Sequence, residues 1–170
     1  LKAIKELGTI YRGFLYVGLM IKDQNPYLVE FNVRMGDPEC QTILPLLNDD
    51  LVEIFINCCL GKLTKEKIIL SEKKSICIVL CSKGYPDNFK RNVSIKGLKN
   101  LLLKKNEYIF HAGTKFENNE ILASGGRVLN FVSVSNNFKT SREDLIKIIG
   151  DLKWDNGFFR RDIGYKVIDL

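Results

Sequence analysis

Glu30, Asn32 and Arg34 take alternate positions in the segment Tyr27–Arg34, YLVEFNVR, and their types suit work on a phosphoryl group and its metal. Mg²⁺ is a hard cation that prefers carboxylate and amide oxygens and usually bridges to substrate phosphates. Glu30 offers a charged oxygen and Asn32 a neutral one, both on a rigid element. Arg34 adds a planar cation suited to a phosphoryl oxygen or a carboxylate. Phosphoryl transfer asks a protein mainly for positioning and charge neutralisation. The loop Met35-Gly36-Asp37-Pro38-Glu39 follows directly, where backbone N–H groups and Asp37 can hold a small substrate. A half-exposed strand would carry a polar row for no functional reason, so the pattern alone leaves both readings open.

The elements that must position these residues can be read from periodicity. As a strand of period two, Tyr27–Arg34 sends Tyr27, Val29, Phe31 and Val33 into a core and Leu28, Glu30, Asn32 and Arg34 to the other face. The preceding run GFLYVGLMI, residues 13–21, is also β-rich, and the polar turn Lys22–Pro26 between them predicts an antiparallel hairpin. Gly36 and Asp37-Pro38 end the strand. A helical stretch is expected around Cys40–Leu47, strained by Pro45. Asp49 or Asp50 then caps a helix whose apolar face is Leu51, Ile54, Phe55 and Cys58, ending at Gly61.

Residues 61–74 are rich in Lys and Glu with little period, and a domain boundary is expected there. Beyond it, Ser75–Ser82 reads as a buried strand. Shorter strands are expected at Val93–Lys96, Tyr108–Gly113, Glu120–Ala123 and Arg127–Ser135. Thr140-Ser141-Arg142-Glu143 has the form of a capping box, opening a helix with Leu145, Ile148, Ile149 and Leu152 on one face. The fold class is therefore α+β and mostly antiparallel.

Other candidates have plainer readings. His111, the single histidine, reads as a hydrogen-bonded strand residue. Ser124-Gly125-Gly126-Arg127 leads into a strand, not a helix, so it is a tight turn and no dinucleotide fingerprint. Arg127 itself is placed to face a cleft. In Arg160-Arg161-Asp162 one arginine is expected to pair with Asp162, and Trp154 is expected to be a core or interface aromatic.

The chain of 170 residues, 45% apolar and 27% charged, can hold one domain or two small ones. Its net charge of +6 is spread along the chain, without the dense arm or aromatic-interleaved stripe of a nucleic-acid binder. No apolar run approaches the roughly 20 residues of a membrane span. The five cysteines, an odd number without a CxxC, argue against a disulfide framework and a zinc site. All five are expected in or near a core, in a reducing cytoplasm. Leu1 opens with neither initiator Met nor leader, so the sequence reads as the later part of something longer, without a signal peptide.

The segment LVEFNVRMGDPECQTILPLL, residues 28–47, resembles the motif near the end of the ATP-grasp domain in the phosphoribosylamine–glycine ligase family. The E-x-N-x-R core is general to ATP-grasp enzymes, and GDPE-x-Q with LPLL is particular to this family. GFLYVGLM, ICIVLCSKGYP, HAGT, GGRVL and FRRDIG resemble further family segments, in the same order, along essentially the whole chain. The resemblance implies the end of an ATP-grasp domain over residues 1–62 and the ligase C-terminal domain over 63–170. It implies ligation of glycine to 5-phosphoribosylamine with ATP, through a glycyl phosphate, with Glu30 and Asn32 holding Mg²⁺ (or Mn²⁺) and the nucleotide. Arg34 would stabilise the transferring phosphoryl group, and Gly36, Asp37 and Pro38 would border the substrate pocket. The rest of the ligase polypeptide is the implied partner, and this portion alone is expected to be inactive. Another ATP-grasp carboxylate–amine ligase and a non-catalytic β-rich binding module are the rival readings.

Overall fold

The computed structural model describes residues 2–64 and 68–168, so the middle of the expected boundary segment lies outside the described residues. The chain divides into two compact units, residues 1–40 with 47–71, and residues 41–46 with 72–170.

In the first unit a short helix α1 (Lys2–Glu6) precedes the hairpin of β1 (Tyr16–Lys22) and β2 (Asn25–Asn32). Asp23 and Gln24 both have positive φ, 49° and 61°, the conformation of a two-residue turn matched to strand twist. The turn is thus tighter than the sequence suggested, and Asn25 and Pro26 already belong to β2. A bulge falls where Gly18 pairs with Glu30 but Leu19 with Leu28, leaving Val29 as the extra residue and interrupting strict alternation.

The expected core face of β2 is not buried: Tyr27, Val29, Phe31 and Val33 are 56%, 65%, 59% and 71% exposed. A two-stranded ribbon buries a face only against a second layer, and the described residues supply none over this one.

After the loop, α2 (Glu39–Ile43) passes into a 3₁₀ turn, Leu44–Leu46. Pro45 is the reason the α-helix does not run on. The next helix, α3 (Leu51–Leu60), is capped by Asp50, whose carboxylate accepts from Val52 N at 2.8 Å and Glu53 N at 3.0 Å. Asp49 instead accepts from Ile69 N at 2.7 Å. At the other end Gly61 takes the left-handed conformation, φ 68°, and Arg12 Nη1 donates to Cys59 O at 2.7 Å. Asp50→Ala removes an N-cap worth about 1 kcal/mol. Amide exchange at Val52 and Glu53, measured by hydrogen exchange, is therefore expected to speed up roughly fivefold.

The second unit is built on a four-stranded antiparallel sheet in the order β5-β8-β3-β9, with β3 (Lys74–Ser82), β5 (Glu107–His111), β8 (Arg127–Ser135) and β9 (Gly157–Phe158). A three-stranded sheet joins β4 (Val93–Ser94), β7 (Glu120–Ala123) and β6 (Thr114–Glu117). One side of the larger sheet is covered by α4 (Phe138–Leu152), whose Leu145, Ile148, Ile149 and Leu152 pack with Ile78, Leu129 and Phe131. A separate cluster joins Cys77, Val132 and Val134 with Val79, Tyr108, Phe110 and Leu46 from the 3₁₀ turn. Burial on both faces explains the near-continuous apolar run of β3.

Helix α4 starts earlier than the capping-box pattern suggested. Asn137 is its N-cap, with Oδ1 accepting from Thr140 N at 2.8 Å. Thr140–Glu143 therefore lies inside the helix, and Ser141 is buried, its Oγ 2.8 Å from Ser135 Oγ. The cysteines are free, but Cys59 is exposed on α3 and not near a core. His111 Nδ1 lies 2.8 Å from Thr114 Oγ1, and Trp154 Nε1 donates to Ser94 O at 3.1 Å. Gly125 N donates to Gly113 O at 3.0 Å, and a Cβ on Gly113 would meet Gly125 Cα at 2.6 Å, so this turn needs glycine for close backbone approach. Arg160 pairs with Asp162, Nη2 to Oδ2 2.5 Å, and this guanidinium hydrogen bond holds the carboxyl below its usual range. Among the described residues no helix is long and apolar enough to cross a membrane.

Candidate functional site

Glu30 and Asn32 share one face of β2, and the element that makes room for Glu30 is its cross-strand partner. Gly18 sits opposite it, and a Cβ there would stand 3.1 Å from Glu30 Cγ. A larger residue at 18 would crowd the carboxylate aside. Asn32 lies at the end of the ladder opposite Tyr16, with its amide nitrogen buried and without a hydrogen-bond partner. A buried amide end without a protein partner is a polar group left for something else to satisfy.

Arg34 departs from the expected row. The strand ends at Asn32, so Arg34 lies in the following bend, with Nη1 donating to Met35 O at 3.1 Å. The structure thus brings Glu30 and Asn32 together on the ladder and leaves Arg34 beside it. Gly36 is buried, Asp37 exposed and Pro38 half-buried, and Cys40 N closes the loop on Gly36 O at 2.9 Å.

Two residues that sequence reasoning passed over belong to this site. Tyr16 OH donates to Glu39 Oε1 at 3.3 Å, and Glu39 Oε2 lies 2.1 Å from where a Cβ on Gly36 would stand. The Glu39 charge foremost, with partial burial, the hydrogen bond and Glu30, raises the Tyr16 phenol above its usual range, while Arg34 opposes this. The signal for Tyr16 was its register opposite Asn32, which depends on where the hairpin turns.

Among the described residues no three or more His, Cys, Asp or Glu side chains converge on a metal position. Glu30 and Asn32 therefore offer a two-oxygen platform and not a cage. That donor set suits Mg²⁺, which keeps several waters and binds through one or two carboxylates together with phosphate oxygens.

Residues 75–166 match the family model described as phosphoribosylglycinamide synthetase, C domain. The chain belongs to the phosphoribosylglycinamide synthetase family. Residues 1–40 match the same family's ATP-grasp (A) domain, a range that holds every residue of the site from Tyr16 to Glu39. Among relatives, a phosphoribosylamine–glycine ligase of Caldanaerobacter subterraneus subsp. tengcongensis is 40% identical over 161 residues, covering 95% of this chain and 38% of that protein. The trifunctional purine biosynthetic protein adenosine-3 of Homo sapiens is 36% identical, covering 97% of this chain and 16% of that protein. The crystal structure of a phosphoribosylamine–glycine ligase from Thermotoga maritima superposes with a TM-score of 0.81 at 29% identity, over 96% of this chain and 40% of that one. The chain thus spans about two fifths of the length of the single-function ligases it matches.

Proposed function

We propose that this chain forms the C-terminal part of an ATP-dependent ligase that joins glycine to 5-phosphoribosylamine in the cytoplasm. Residues 1–62 would close the ATP-grasp domain and residues 63–170 would form the C-terminal domain. The observation that carries the reading is the Glu30–Asn32 pair opposite Gly18, running into the Gly36–Glu39 loop, within the range matched by the ATP-grasp domain. Relatives named phosphoribosylamine–glycine ligase along nearly the whole chain support the choice of substrates.

In this reading Glu30 and Asn32 would hold Mg²⁺ (or Mn²⁺) beside the ATP. When bound, the metal neutralises phosphate charge and fixes the phosphoryl oxygens. Arg34, released from Met35 O, would add its guanidinium to the transferring phosphoryl group. The glycine carboxylate attacks the γ-phosphorus, giving glycyl phosphate and ADP. The amine of phosphoribosylamine then attacks the acyl carbon, an amide bond forms, a proton leaves the nitrogen and phosphate departs. Gly36, Asp37 and Pro38 border the pocket where this happens.

A coupled assay of ADP release tests the reading. A complete ligase polypeptide that includes this chain is expected to release ADP only with both glycine and phosphoribosylamine, and the 170-residue chain alone to release none. Turnover by the isolated chain would overturn its assignment as one part of the site. ADP release by the complete polypeptide indifferent to glycine would overturn the substrate.

A further inference from the structure

Tyr16 has no side chain that announces chemistry, yet it touches both parts of the candidate site. It faces Asn32 across the hairpin, and its hydroxyl reaches Glu39 on the far side of the loop. Its ring Cε2 would lie 3.2 Å from a Cβ at Gly36, beside Glu39 Oε2 at 2.1 Å. Phenol ring, carboxylate and bare glycine backbone therefore interlock, and a side chain at 36 would force them apart. The loop is held at its two ends by different bonds, Cys40 N to Gly36 O within it and Tyr16 to Glu39 from the hairpin. The second ties the loop to the strand pair that bears Glu30 and Asn32.

We propose that Tyr16 is a positioning residue: acting through Glu39, it holds the Gly36–Pro38 loop in register with Asn32 and so sets affinity for the amino-acid substrate. The inference rests on the reading above, in which that loop borders glycine. Tyr16 need not touch glycine. It holds Glu39 by one hydrogen bond, 3.3 Å and so at the long end for a hydroxyl on a carboxylate, and Glu39 in turn lies over the Gly36 backbone. Binding groups held away from their productive geometry lose affinity for the ligand they contact and not for a ligand bound elsewhere.

The test uses the complete ligase and steady-state kinetics with each substrate varied. Tyr16→Phe keeps the ring and removes the hydroxyl, and is expected to raise the glycine KM roughly 5- to 30-fold, the effect of one such bond. The ATP KM and the Mg²⁺ dependence are expected to move less than about threefold, because the strand donors stay in place. Glu39→Leu removes the acceptor and should give the same pattern, and the double variant should be no worse than Glu39→Leu alone, since one bond is lost in either case. Should Glu39→Leu fail to fold, Gly36→Ala displaces the same carboxylate and should reproduce the selective rise in glycine KM. Equal rises for glycine and ATP, or additive effects in the double variant, would show a merely structural bond and overturn the proposal. Loss of glycine dependence in the unsubstituted ligase would instead remove the reading beneath it.

Discussion

Glu30→Gln in the complete ligase is expected to lower kcat/KM for Mg·ATP by about 10²- to 10³-fold, the scale seen when one preorganised electrostatic contact to a transferring group is removed. The change is nearly isosteric, so the pairing with Gly18 and the bulge beside it should persist, and the loss isolates the charge. Glutamine still offers an amide oxygen, so coordination weakens without vanishing. Raising Mg²⁺ or substituting Mn²⁺ should recover part of the activity, whereas raising glycine should not. Measuring initial rates against metal at fixed ATP makes the comparison. A loss below about tenfold would mean that the strand does not hold the metal, since a direct charged ligand contributes more than that. The contrast with Tyr16→Phe is then sharp: Glu30→Gln should move the metal and nucleotide dependence, and Tyr16→Phe the glycine dependence.

The largest expected effect on stability is at Phe131. It is fully buried in the centre of β8, paired with Ile78 of β3 on one side and Ile109 of β5 on the other, and belongs to the cluster that includes Leu145 and Ile148 of α4. Phe131→Ala removes most of a ring from a site walled by sheet and helix, with little room for collapse, and should cost about 3–5 kcal/mol. Set against a typical domain stability of about 5–15 kcal/mol, that takes much of the margin. In thermal unfolding of the 170-residue chain followed by near-ultraviolet circular dichroism, the second unit's midpoint should fall by more than about 10 °C. Phe31→Ala serves as the counterpart: at 59% exposure it should change stability by less than about 0.5 kcal/mol in the same chain. A Phe131 variant that melts like the Phe31 variant would refute the placement of the core.

These two phenylalanines also show where sequence reasoning succeeded and where it stopped. The β3 and β8 runs and the apolar face of α4 are dense enough that burial followed from composition alone, and their bounds were nearly right. Phe31 sits in an equally good alternating pattern, but alternation says only which residues share a face. Whether that face is covered depends on another layer, which local pattern does not encode. Helix starts went astray for a similar reason. Thr140–Glu143 fits a capping box, yet Asn137 reaches Thr140 N first and the helix begins before the pattern does. Thr114–Glu117 was missed because its one large apolar residue, Phe116, is exposed, so the strand carries no burial signal.

The candidate site was legible to the extent that its chemistry follows residue type. Glu30 and Asn32 stood out as hard oxygen donors in alternation, and the fold keeps them on one face. Arg34 shares that row only in a strand that runs to residue 34, and β2 ends at Asn32. Tyr16 and Glu39 could not be joined on paper, because their meeting depends on the hairpin register and on a glycine that leaves space for a carboxylate.

The 3₁₀ turn at Leu44–Leu46 bears on how such a chain can be cut and recombined. Leu46 packs against Cys77, Val132 and Val134, so the modular unit of the second domain includes a short piece of chain that precedes α3 in sequence. A domain exchanged at residue 63 would arrive without the leucine that covers its sheet, and a donor's first domain would bring a leucine shaped for a different surface. Successful chimeras should therefore carry residues 41–46 along with the C-terminal domain or match that one side chain to its new sheet. The heritable module is discontinuous, and shuffling at the apparent linker would break it.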